Sequence, residues 1–354
     1  MSEFKAGDEL GRWQIDDVLS FGNPWLLAAH DAAHPDVRAV LQVSDRTRVT
    51  ERWYKRTGRA LRALRNPAFP VLIEAKGSDS HVFVAVRPFH PDSLADRMAE
   101  GDVDWKLACT WLYQLARALL YMHEEGWVHG GLAPESIYIT PTDEVRLMGL
   151  RCTTPLGDRV PIPRDSVTYV APEVLQDPEH NGPRADLYAF GCIAYELLSG
   201  EPAFPATAWG EHPDPARLLL EWKTKTTMLD PGPEQPDWVR SLVEKCTHPD
   251  PAHRLPDMDT VVQWLESSSA MWRIEPAAPT PAAVPRGHEP TLVLQPSFDT
   301  DALARQFAQH AAALQSDYRG THDMLVIVSA ALGAAAGLCF AVLAIFWLEI
   351  SQLA

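Results

Sequence analysis

Residues 324–348, MLVIVSAALGAAAGLCFAVLAIFWL, form an uncharged apolar run, and no other feature limits the architecture of this chain so strictly. At ~1.5 Å of rise per residue, a helix of that length crosses a ~30 Å hydrocarbon core with some tilt. The chain is therefore expected to divide into one transmembrane helix and a water-facing remainder. Arg305 and Arg319 precede the run and no Lys or Arg follows it, which favours a cytoplasmic location for the larger part. Only EISQLA, residues 349–354, comes after, so the expected topology is a single-pass C-terminal tail anchor. Ser329, Gly333, Gly337 and Ala341 recur every fourth residue in the run. Small residues at that spacing allow two helices to approach closely, so a homodimer is one expectation; the plainer one is that Gly and Ala are common in membrane helices.

The segment before the run has a different character. In residues 270–297, Pro276, Pro279, Pro281, Pro285, Pro290 and Pro296 interrupt an Ala-rich stretch, which reads as an extended, semi-rigid linker. Residues 298–323 turn helical in pattern, with Leu303, Phe307, Ala311 and Leu314 on one face and Asp299 or Thr300 at the cap. This predicts a short amphipathic juxtamembrane helix. The formal charge of −16 argues against nucleic acid as a partner, and no basic run is read from the sequence. Cys109, Cys152, Cys192, Cys246 and Cys339 stand far apart without metal-ligand spacing, so neither a zinc site nor a disulfide framework is expected. The N-terminus, MSEFKAGDEL, is charged and lacks the apolar stretch of a secretory signal.

Four motifs occur in order ahead of the linker: HGGLAPESIYI at residues 129–139, TYVAPEVL at 168–175, ADLYAFGCIAYELLSGEPAF at 185–204 and DPAHRLPDM around Arg254. Their order and spacing resemble bacterial Hanks-type (eukaryotic-like) Ser/Thr protein kinases. The matching parts there are the catalytic loop His-Arg-Asp-Leu-Lys-Pro-x-Asn, the Ala-Pro-Glu element, the central helix of the large lobe and the Arg that pairs with the Glu of Ala-Pro-Glu. Residues 5–31, KAGDELGRWQIDDVLSFGNPWLLAAHD, are similar to the strand, glycine-rich turn and strand that open those kinases. The resemblance implies an α+β, bilobal fold over residues 1–269, with a small β-rich N-lobe and a larger, mainly α C-lobe.

The same resemblance implies that the chemical positions are degenerate. Gly131 stands where the family has its catalytic Asp, Ala133 for the phosphate-contacting Lys and Ser136 for the metal-binding Asn. Gln42 replaces the Lys of the third strand, and the Glu that would pair with that Lys falls at or near Thr57. Gly149, Leu150 and Arg151 take the place of Asp-Phe-Gly, so both protein ligands for Mg²⁺ are missing. Of the glycine-rich turn only Gly22 remains, beside Pro24, which has no N–H, and the bulky Trp25. Acids such as Asp158 and Asp165 in the activation segment would have to hold a metal in an unusual geometry for the chemistry to be rescued. His129, Leu150 and Asp186 match structural positions, and Glu173 with Arg254 matches the pair that pins the activation segment.

The expected function is that of a pseudokinase at the inner membrane, a scaffold or regulator that binds a kinase, a phosphatase or a signalling complex and needs no cofactor. Three alternatives stay open: a divergent, slow Ser/Thr kinase; a sensor that binds ATP without metal through Gly22 and Gln42; and a purely structural membrane anchor. Thr291, in EPTLVL, resembles the phosphothreonine ligands of forkhead-associated domains, although an exposed linker segment is the simpler reading.

Overall fold

The computed structural model describes residues 4–20, 24–89, 92–101, 103–158, 167–180, 182–208 and 214–272. Gly22, Asp165, Thr291, the expected helix at 298–323, the apolar run at 324–348 and its stripe Ser329, Gly333, Gly337 and Ala341 lie outside them. Among the described residues no helix is long and apolar enough to cross a membrane.

The first part is a curled antiparallel sheet. Strands β1 (Glu9–Leu10), β2 (Trp13–Ser20), β3 (Trp25–Asp31), β4 (His34–Asp45), β5 (Leu72–Gly77) and β6 (His81–Val86) pair in the order β1-β2-β3-β4-β6-β5. Alternation along β4 sends Ala39, Leu41 and Val43 into a cluster with Trp13, Leu27 and Phe83, and turns Val40 to the other face. Helix α1 (Arg48–Ala63) covers that second face with Trp53, Thr57, Ala60 and Leu61. It starts at a capping box in which Thr47 Oγ1 accepts the Thr50 N–H and Thr50 answers to the Thr47 N–H.

The second part is mainly helical: α2 (Leu94–Glu100), α3 (Trp105–Glu124), α4 (Pro172–Gln176), α5 (Pro183–Ser199), α6 (Pro215–Lys225), α7 (Asp237–Thr247), α8 (Met258–Ser267) and α9 (Ser269–Trp272). Short strands β7 (Trp127–Val128), β8 (Ile137–Ile139), β9 (Val145–Leu147) and β10 (Thr154–Pro155) form two ribbons, β8 with β9 and β10 with β7. Twelve of the 17 residues of α5 are buried, so it is the axis about which the other helices pack. A Cβ on Gly191 would meet Cys246 Cβ at 2.6 Å, which is why α5 and α7 approach as closely as they do. One apolar cluster runs from Val40 and Leu61 through α3 and α5 to Trp272. Trp272 is 2% exposed and donates its indole N–H to the Leu265 carbonyl at 3.0 Å, so the packed body reaches past residue 269.

Candidate active site

The loop after β7 is held from beneath by one carboxylate. Asp186, near the start of α5 and 2% exposed, accepts the His129 N–H at 2.8 Å, the Gly130 N–H at 2.9 Å and His123 Nε2 at 2.9 Å. Burial pushes this carboxyl upward, but the hydrogen bonds from His123 and the Gly130 N–H oppose it and the group is held below its usual value. The His129 side chain points inward, its Nε2 2.9 Å from the Met148 carbonyl. An N–H on Nε2 satisfies that acceptor, and burial lowers the imidazole pKa, which suits a neutral packed ring.

Gly131 follows with no side chain and Ala133 is buried. Ser136 is turned back on its own loop, its Oγ donating to the Ala133 carbonyl at 2.7 Å and accepting the Ala133 N–H at 3.1 Å. Beyond β9, Gly149 has φ +70°, and a Cβ there would stand 2.6 Å from Ser136 Cβ. The two positions are in contact. Gln42 sits in β4 with Leu26 and Val84 as its cross-strand neighbours.

Helix α1 meets this segment through backbone carbonyls. Thr57 Oγ1 donates to the carbonyl of the buried Leu150 at 3.1 Å, and Arg56 Nη2 donates to that of Arg151 at 2.6 Å. Thr57, at or near which the resemblance leads one to expect a pairing Glu, serves as a neutral clasp. Asp158 lies exposed in the turn after β10. Among the described residues no group of three His, Cys, Asp or Glu side chains is arranged to hold a metal.

Further along, Arg254 and Glu173 form a two-pronged pair, Nη1 to Oε1 and Nη2 to Oε2, both at 2.7 Å. The guanidinium also donates to the carbonyls of His248, Arg184 and Pro249 and lies over the Tyr188 ring. Lys223 is a residue that reading the sequence missed. It is fully buried, with Nζ on the Thr168 and Val170 carbonyls and over the rings of Tyr188 and Phe204. Burial lowers its pKa to about 8. In sequence it is one cation of WKTK on an amphipathic helix, where a solvated lysine is the ordinary expectation. Tyr169 completes the region, its hydroxyl donating to Glu196 at 2.7 Å.

The protein kinase domain family matches residues 35–265. Serine/threonine-protein kinase pkn2 of Myxococcus xanthus is 27% identical over 292 residues, which cover 78% of this chain and 33% of that protein. An Aurora kinase of Eremothecium gossypii is 28% identical over 169 residues, 47% of this chain and 44% of the relative. Calcium/calmodulin-dependent protein kinase type 1 of Macrobrachium nipponense is 34% identical over 152 residues, 41% and 44% respectively. The chain thus matches less than half the length of each of these relatives. With its β-rich and helical parts joined as described and the family match covering most of its length, the chain belongs to the protein kinase family, of the Hanks serine/threonine type.

Proposed function

We propose that this chain is a membrane-anchored pseudokinase, a scaffold or regulator in phospho-signalling that does not transfer phosphate from ATP. The contact between Gly149 and Ser136 carries the reading. Phosphoryl transfer depends on positioning and on charge neutralisation by Mg²⁺, and Mg²⁺ demands oxygen ligands in near-octahedral geometry. One of the two ligand positions has no side chain, and the hydroxyl of the other is engaged by Ala133. The space a carboxylate at residue 149 would need is taken by Ser136 Cβ. These residues do not fit the metal, and we derive no step through it. Gly131 provides no general base and Gln42 no positive charge, so three requirements fail together.

The partners fitting this reading are proteins, a kinase, a phosphatase or a signalling complex, reached from the cytoplasmic face of the inner membrane. On this reading the apolar run of residues 324–348 is the anchor, with pairing through the stripe Ser329, Gly333, Gly337 and Ala341 as its dimer mode. Calorimetric titration of ATP into the full chain in detergent, with Mg²⁺ and with chelator, tests the central point. The expected result is no Mg²⁺-dependent heat and no phosphate incorporation. Binding that requires the metal, accompanied by turnover, refutes the reading.

A further inference from the structure

Helix α1 carries a concentration of positive charge set out at helical spacing. Eight of the chain's 31 Lys and Arg and one of its 47 Asp and Glu fall in residues 46–65, a local charge of +7 in a chain of −16. The expectation that the chain has no basic run does not hold for this helix. The cations are three or four residues apart, so they are scattered in the sequence and aligned on a helix. Arg48, Arg52, Lys55, Arg59 and Arg62 form one such line and all five are exposed, while Trp53, Thr57, Ala60 and Leu61 of the same helix face the core. From the first to the last of them the line spans about 21 Å of helix rise.

Little of this charge is neutralised locally. Lys55 pairs with Glu51 at 2.8 Å, and Arg62 donates to the Gly58 carbonyl at 3.2 Å. Among the described residues, Arg48, Arg52, Arg59 and Arg62 have no carboxylate partner. A guanidinium presents a planar fork suited to phosphate oxygens and is less strongly hydrated than an ammonium. A line in which four arginines lack a carboxylate partner among the described residues is a surface for anions.

We propose that this line docks the kinase-like domain flat on an anionic lipid surface, with the headgroup phosphates as its ligands. The inference rests on the tail-anchor reading. Residues 273–323, 51 in number, separate Trp272 from the apolar run. Taken as the semi-rigid linker and helix read from the sequence, at ~3.1 and ~1.5 Å per residue, they reach at most about 120 Å, which keeps the domain tethered to the bilayer that holds its anchor. A chain of −16 is repelled by anionic lipid over most of its surface, so this one face selects the orientation. Screening confines the attraction to roughly 8 Å at physiological salt, so it acts on contact.

The test uses the full chain in nanodiscs of phosphatidylcholine, alone or with one-third phosphatidylglycerol. A donor dye is placed at Val49→Cys, where the native side chain is 74% exposed, and an acceptor on a lipid headgroup. Energy transfer is expected to rise with anionic lipid and to fall in high salt. The double substitution Arg52→Glu and Arg59→Glu is expected to cut the docked-to-free ratio at least roughly tenfold, whereas Lys at both positions keeps it. Equal transfer in neutral and anionic discs overturns the proposal. So does a signal indifferent to lipid charge but responsive to added polyglutamate, which assigns the line to an acidic protein segment. Alkaline extraction is scored separately. Release of the chain refutes the anchor, and binding to added anionic vesicles then decides the line on its own.

Discussion

Replacing Gly149 by Ala tests the packing on which the inactive-site reading depends. A Cβ at that position would lie 2.6 Å from Ser136 Cβ and 3.5 Å from its Cα, on a backbone with φ +70°. The left-handed conformation costs an L-residue roughly 1–2 kcal/mol, and forcing an extra carbon into a packed region costs about 1–3 kcal/mol more. Together they predict a loss of about 2–5 kcal/mol. Gly200, the C-cap of α5, has φ +78° with nothing within 4 Å of an added Cβ. Gly200→Ala is therefore charged with the conformational part alone, about 1–2 kcal/mol. Urea unfolding of the full chain and both variants, followed by circular dichroism, measures the difference. Equal losses at the two sites refute the argument, because the contact with Ser136 would then have no energetic content. Gly149→Asp extends the test: it meets the same obstruction and is expected not to confer Mg²⁺-dependent ATP binding.

Glu173→Ala strands a guanidinium whose side chain is 0% exposed, and breaking a buried pair in this way is expected to cost about 3–5 kcal/mol; a thermal scan showing a loss below about 1 kcal/mol counts against a desolvated pair. Lys223 governs an alkaline effect. Its buried amine titrates at about 8 and the unfolded one near 10.5, so between those values the unfolded chain holds a proton that the folded one has lost. Unfolding then takes up a proton, and rising pH opposes it. Relative to Lys223→Met, the parent chain is expected to gain stability from about pH 8 toward 10.5, and parallel pH profiles contradict this. Thr57→Val leaves the Leu150 carbonyl without its donor, with an expected loss of about 1–3 kcal/mol and faster amide exchange in α1. Unchanged exchange refutes the clasp.

Much of the framework was legible because four motifs at 129–139, 168–175, 185–204 and around Arg254 resemble, in order and spacing, those of a known family. The stretch at residues 185–204 reads as a buried helix, and Pro183 and Gly200 bound α5 where helix-start and helix-stop chemistry places them. The exchanged residues at 131, 133, 136 and 149 were visible as identities. What could not be read was their consequence in space. That Ser136 folds back on Ala133 and presses against Gly149 depends on two loops separated by the β8–β9 ribbon. Thr57 was seen as a missing Glu, whereas its bond to a carbonyl 93 residues away is a product of tertiary contact. Lys223 gave no signal, because nothing local marks a lysine that will be enclosed by two aromatic rings. The arginine line of α1 was hidden for the opposite reason: its cations stand three or four residues apart and align only once the helix forms.

The way α1 is seated also determines what disturbs it. A Lys–Glu pair at that junction would weaken as salt screens it and break when the carboxylate is protonated. The bond from the Thr57 hydroxyl to the Leu150 carbonyl has no titrating group and no net charge. The second bond, from Arg56 to the Arg151 carbonyl, keeps its charge at any ordinary pH, so close to an anionic surface, where protons accumulate, the junction has no carboxylate to lose and the helix offers the same arginine face.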